Sequence, residues 1–166
     1  VLWLAVALAL LLPTSAAFAE SLEGLVVRVV DGDTIHVRVA DRVEKVRYIG
    51  VNTPELHHSQ KGEEPGGRAA LEVNRTLVNG RRVRLETDVQ ARDRYGRLLA
   101  YVWVGEVMVN AELVRRGYAQ VMTIPPNVRH QALFLKLQRD ARDAERGLWR
   151  WGAPGAPQAP HASGRT

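Results

Sequence analysis

Between Leu25 and Ile49 the chain holds three β-branched runs separated by two tight turns, and this pattern constrains the fold more than any other. Leu25–Val30 is the first run, and Asp31-Gly32 after it is a hairpin-type turn signal. Thr34–Val39 then alternates, with Ile35, Val37 and Val39 on one face and Thr34, His36 and Arg38 on the other. That is the period of a half-buried strand. Ala40–Arg42 makes a second turn and Val43–Ile49 a third strand. Three strands joined by two tight turns make a β-meander.

Downstream the period changes. Glu64–Val78 predicts a helix, with Ala69, Ala70, Val73 and Leu77 on one face and Asn79-Gly80 as its stop. Val83 and Leu85 mark a fourth strand, and the Tyr95-Gly96 turn leads into a fifth at Leu98–Val104. Asn110 is placed to cap a short helix, Ala111–Arg116, closed by Gly117. A longer helix is predicted over Asn127–Arg146, ending at Gly147. Five short strands and three helices, one of them inserted after strand three, predict an α+β fold: a five-stranded OB-fold barrel carrying three helices.

The 166 residues suit one domain. The absence of cysteine excludes disulfide scaffolds, cysteine-based zinc sites, iron–sulfur clusters and thiol nucleophiles. Lys+Arg is 23 against 18 for Asp+Glu, a net charge of +5. This surplus favours an anionic partner such as nucleic acid, anionic lipid or another polyanion. At the start, the apolar run Val1–Leu12 is too short to span a bilayer comfortably, and Pro13 and Ala17-Phe18-Ala19 follow. No basic segment precedes it, yet the run and the A-x-A site predict a signal peptide over residues 1–19 and an exported protein. An uncleaved anchor is the alternative. Residues 152–166 are rich in Pro, Gly and Ala and predict a disordered tail, leaving one domain over residues 22–151.

Unusual polar residues gather at strand ends. Asp31-Gly32-Asp33-Thr34 is a good hairpin turn, and its two carboxylates can also present hard oxygen ligands to a divalent cation. In the stretch Arg47–Glu55 a strand delivers Arg47, Asn52 and Thr53 offer carbonyl oxygens, and Pro54 fixes the direction in which Glu55 leaves. A guanidinium, an oxygen set and a carboxylate so close fit phosphoryl chemistry, which needs charge neutralisation and an activated water. The same stretch also reads as a strand-ending turn with a surface glutamate. Asp93-Arg94-Tyr95-Gly96-Arg97 places a second arginine at the start of strand five, where it can fork onto phosphate or simply be solvated. In Gly147–Trp151, Leu148 and Trp149 are expected to pin the last helix rather than to stack on bases. His57-His58, with Glu63 and Glu64 beyond, matches no metal-ligand spacing and predicts an exposed loop.

Taken in order, D-G-D-T, R-x-x-x-V-N-T-P-E, D-R-Y-G-R-x-L-A-Y, V-N-x-x-L-V-R-x-G and G-L-W resemble the staphylococcal nuclease family from about Leu25 to Trp151. The resemblance implies an OB-fold barrel with three helices and a calcium-dependent phosphodiesterase acting on DNA and RNA to leave 3′-phosphate ends. It implies no stable protein partner, and a monomer is expected. By position it implies Asp33, Asn52 and the Thr53 carbonyl as calcium ligands, and Arg47 and Arg97 as catalytic arginines. Glu55 matches the general base or water positioner, and Arg94 and Tyr95 match residues flanking the nucleotide. Asn52 stands where the staphylococcal pattern has an aspartate, and Val121–Pro126 lacks the tyrosines of that pattern. A degenerate copy that holds nucleic acid without cutting it is the alternative, but such copies usually lose the arginines or the glutamate.

Overall fold

The computed structural model describes residues 21–56 and 62–151. Residues 1–19, where a signal peptide is predicted, the Pro/Gly/Ala-rich segment over 152–166 and His57-His58 lie outside the described residues. Eight strands and three helices follow in the order β1 (Ser21–Val29), β2 (Thr34–Val39), β3 (Arg42–Tyr48), β4 (Val51–Asn52), α1 (Gly67–Val78), β5 (Arg82–Glu86), β6 (Leu98–Val104), β7 (Val107–Met108), α2 (Val109–Arg115), β8 (Gln120–Val121) and α3 (Gln131–Asp143), with a 3₁₀ turn at Gly147–Trp151. The main sheet runs β3-β2-β1-β5-β6-β7, and a parallel β3–β6 pairing closes it. β1, β2, β3, β5 and β6 are the five predicted strands, so the barrel and its three helices are as expected.

Alternation fills the barrel. Ile35, Val37 and Val46 are fully buried, and so are Leu85 and Val102 from the opposite wall. Phe134 of α3 and Leu113 of α2 close the core from outside the sheet. Val51 pairs with Val121, tying the segment after β3 to the segment before α3. Leu148 and Trp149 are buried, with the Arg142 guanidinium 4.3 Å over the Trp149 ring, so this pair pins the last helix as predicted.

Three predicted helix starts are corrected. The first helix begins at Gly67, not Glu64, because Gly66 has φ +92, a left-handed conformation that breaks the helix. A Cβ on Gly67 would lie 2.9 Å from the Glu55 carbonyl oxygen, so only glycine lets the helix start approach that backbone. The second begins at Val109, with Met108 rather than Asn110 at its cap position. Asn110 is instead fully buried. Its Oδ1 accepts from the Val102 N–H at 2.9 Å and its Nδ2 donates to Ile49 O at 3.0 Å and Ala100 O at 3.3 Å. The third helix covers Gln131–Asp143 only. Asn127 is spent on the chain opposite: it accepts from the Gln90 N–H and donates to the Gln90 carbonyl, each at 2.8 Å.

Asn110→Ala strands the buried Val102 N–H and Ile49 carbonyl, whereas Ala100 O keeps the Ile49 N–H. Each orphaned group costs about 1–3 kcal/mol, so a loss of at least about 2 kcal/mol is expected. Urea unfolding should show a lower midpoint with an unchanged slope.

Candidate active site

The site forms where β2 begins and β3 ends, since Thr34 pairs with Arg47 in the β2–β3 register. Asp31 builds the turn: its Oδ1 accepts from the Asp33 N–H at 3.0 Å. That turn sends the Asp33 side chain inward, where it is only 4% exposed. Asp33 Oδ2 accepts from the Thr53 N–H at 2.9 Å and lies 3.0 Å from Arg47 Nη2. Thr34 Oγ1 donates to Asp33 Oδ1 at 3.1 Å.

Arg47 is held from every side. Nη1 donates to Tyr48 O and Val51 O, each at 2.8 Å, and Nη2 donates to Asn52 Oδ1 at 2.9 Å. One guanidinium thus joins the predicted residues Asp33 and Asn52, while the Asp33–Thr53 bond joins Thr53 to them. Burial pushes the Asp33 carboxyl up to about 6; Arg47 draws it down, but less strongly, and Asp31 adds a further upward push. Asp33 therefore feels a second carboxylate at Asp31 and one buried guanidinium at Arg47.

Asp33, Asn52 Oδ1 and the Thr53 carbonyl are hard oxygen donors of the kind calcium takes. Among the described residues no three His, Cys, Asp or Glu side chains gather in a metal-binding cluster. A cation here would therefore rely on neutral oxygens beside Asp33. The negative excess of the Asp31–Asp33 pair over Arg47 fits a divalent cation.

Arg97 reaches the same place from the turn just before β6. Val46 pairs with Leu98 in the parallel β3–β6 register, which brings the start of β6 beside the end of β3. Arg97 Nε lies 2.7 Å from Asp93 Oδ2, and the Arg97 N–H donates to Asp93 Oδ1 at 3.0 Å. Burial alone would raise the Asp93 carboxyl, but hydrogen bonds from Arg97 and from the Tyr95 backbone hold it below the usual range. Arg47 and Arg97 both line a cavity of about 170 Å³, whose wall also includes Gln90, Leu99, Met122 and Ile124. Met122 and Ile124 stand in the stretch where the staphylococcal pattern has tyrosines, so this wall is aliphatic. Tyr95 is 68% exposed nearby, with Arg94 and Arg97 guanidiniums 4.7 and 5.6 Å from its ring centre.

Glu55 is exposed and does not line that cavity. Its backbone is fixed: its N–H donates to Glu64 Oε2 at 3.0 Å and its carbonyl accepts from the Glu64 N–H at 2.8 Å. Glu63 pairs with Arg68 at 2.9 Å.

One residue escaped the sequence reading. Asn74 on α1 is fully buried, donates to the Asp31 carbonyl at 2.9 Å and accepts from the Tyr48 hydroxyl at 2.9 Å. It fastens the acidic turn to the residue beside Arg47. The signal was an amide one residue after Val73, on the side of the helix that carries Ala70 and Leu71 into the core.

Barrel and site together define an OB-fold protein with an arginine-lined cavity beside a buried oxygen cluster. The family model for staphylococcal nuclease homologues matches residues 45–151. The thermonuclease of Staphylococcus intermedius is 40% identical over 125 residues, covering 75% of this chain and 74% of that protein. The thermonuclease of Staphylococcus hyicus is 38% identical over 124 residues, covering 75% and 73%. Endonuclease YncB of Bacillus subtilis is 36% identical over 124 residues, covering 74% and 59%. The chain belongs to the staphylococcal nuclease family.

Proposed function

We propose that this protein is a nuclease that hydrolyses phosphodiester bonds of DNA and RNA with calcium, leaving 3′-phosphate ends. The observation that carries this reading is the placement of Arg47 and Arg97 on one cavity, with the Asp33 oxygen cluster against Arg47. The thermonuclease relatives support it. A phosphodiester carries one negative charge, and a second develops as water adds to phosphorus. Two guanidiniums placed where that charge grows favour the transition state over the ground state. Asp33, Asn52 and the Thr53 carbonyl would hold calcium, which supplies further charge neutralisation at the phosphate. Glu55 orients the attacking water and takes its proton. The P–O5′ bond then breaks, and the leaving oxygen is protonated from solvent. Arg94 and Tyr95 flank the nucleotide, and contacts to the backbone rather than to base edges give little sequence preference.

Incubating purified protein with plasmid DNA and with RNA, in calcium or in chelator, tests this directly. Cleavage of both in calcium alone is expected. Tight binding without cleavage would favour the degenerate module instead. The same reading has the protein exported, supported by Val1–Leu12 and Ala17-Phe18-Ala19. Mass spectrometry of the mature protein should then find Glu20 first. Among the described residues no helix is long and apolar enough to cross a membrane.

Asn52→Asp is expected to lower the half-saturating calcium by roughly an order of magnitude, because affinity in oxygen sites rises with ligand charge. Nη2 of Arg47 already contacts Oδ1 of Asn52, so the new carboxylate inherits a partner. The check is activity against free calcium at fixed ionic strength. An unchanged midpoint would remove Asn52 from the ligand set.

A further inference from the structure

The outer face of the β1–β2–β3 meander carries cations that neither the core nor the cavity uses. Strand register sets Arg28 opposite His36 and His36 opposite Lys45, forming one cross-strand row. On one side of it lies the Thr34–Arg47 pair of the site, and on the other the row Leu25, Arg38, Val43. Alternation puts these rows on one face, since Val26, Ile35, Val37 and Val46 point into the core. Arg28, Arg38 and Lys45 are exposed, and none has an ion-pair partner among the described residues.

Like charges set opposite one another destabilise a sheet. Here the crowding is felt: partial burial first, then Arg28 and Lys45, hold the His36 imidazole below its ordinary pKa. Rows two residues apart along a strand are about 6.8 Å apart. Arg47, then Arg28 and Lys45 on either side of His36, then Arg38 therefore form a band of cations leading away from the cavity, and Arg82 on β5 continues the last row opposite Leu25. Leu25, Val27 and Val43, 38%, 39% and 53% exposed, supply apolar surface between them. Exposed Glu23 and Asp41 bound the far end.

We propose that this face is a track for the backbone of a single-stranded polynucleotide, whose phosphates pass from the Arg47 cavity over Arg28 and Lys45 toward Arg38. The proposal rests on the nuclease reading and extends it from the scissile phosphate to its neighbours. A band of cations that starts at the cavity matches a backbone whose scissile phosphate lies there. The aliphatic surface takes sugars and bases without reading them.

The test is the double variant Arg28→Gln with Lys45→Gln, two exposed positions where the fold is not at stake. Anisotropy of a labelled oligothymidylate, in chelator across a salt series, reads binding without cleavage. Cleavage of that oligonucleotide and of a small nitrophenyl thymidine diester, in calcium, reads chemistry. At low salt the dissociation constant should rise on the order of tenfold, and the slope of log affinity against log salt should flatten by about 1.4, at about 0.7 per lost phosphate contact. KM for the oligonucleotide should rise while the small diester is cut as before. Arg115→Gln with Arg139→Gln removes equal charge from helix faces and should leave the slope alone. An unchanged slope in the first variant, an equal change in the control, or a loss confined to duplex DNA would overturn the track. If the wild type cuts neither substrate yet the slope flattens as stated, the nuclease reading fails and the track stands.

Discussion

Arg47→Met is expected to destabilise the protein by roughly 3–5 kcal/mol, the usual cost of orphaning one partner of a buried ion pair. It should also lower kcat by at least about 10²–10³, the scale for removing one preorganised donor from a developing anion. Both effects come from one side chain because Arg47 is 11% exposed and bonded to Asp33, Asn52 and the Tyr48 and Val51 carbonyls at once. Methionine fills much of the volume but leaves the Asp33 carboxylate buried without its cation. The pH dependence follows from Asp33. Its folded value of about 6 already exceeds the ordinary 3.8, so the folded form binds the proton more tightly than the unfolded chain. The stability this gives is fully present below 3.8 and is lost as pH rises through about 6. Without Arg47 the folded value climbs further. The deficit of the variant in chelator should therefore be largest above pH 6 and shrink toward pH 4, where a proton neutralises the orphan. Thermal unfolding across that range measures it. Arg47→Lys should recover part of the stability and little of the turnover, since an ammonium cannot fork onto these acceptors. A deficit independent of pH would mean that Asp33 is not the partner that matters.

The parts of the fold legible in the sequence are those whose cause is local. Alternation at Thr34–Val39 and the Tyr95-Gly96 turn ahead of Leu98–Val104 placed both strands at their observed limits. Gly96, at φ +78, turned the chain before Arg97 as expected. Asp33, Arg47, Asn52 and Thr53 were visible because they stand at strand ends, where alternation stops making sense of them. The residues misread or missed are buried amides with distant partners. Asn110 bonds Ile49 across 61 positions, Asn74 bonds Asp31 across 43, and Asn127 bonds Gln90 across 37. An asparagine near a helix start looks like a cap whether it caps or crosses the core. Only the tertiary fold decides, because an unpaired buried carbonyl or N–H is costly enough to recruit an amide from anywhere in the chain. The same logic explains the late start of the first helix: the close approach of Gly67 to Glu55 cannot be seen from the periodicity of Glu64–Val78.

Glu55→Gln is expected to cut turnover by about 10²–10⁴, the contribution of a positioned general base. The substitution is nearly isosteric, and at an exposed position it disturbs no packing. It also leaves the backbone anchors in place, because the bonds between Glu55 and Glu64 use the N–H and carbonyl of Glu55 and not its side chain. The amide keeps an oxygen to accept from water but has no charge with which to take the proton. Chemistry should therefore suffer while unfolding temperature and oligonucleotide affinity in chelator stay at their wild-type values. Glu55 lies outside the residues that line the arginine cavity, so a base role requires a substrate that spans from the cavity to this exposed carboxylate. Turnover at the wild-type rate with glutamine present would take Glu55 out of the chemistry and leave the two arginines to account for it alone.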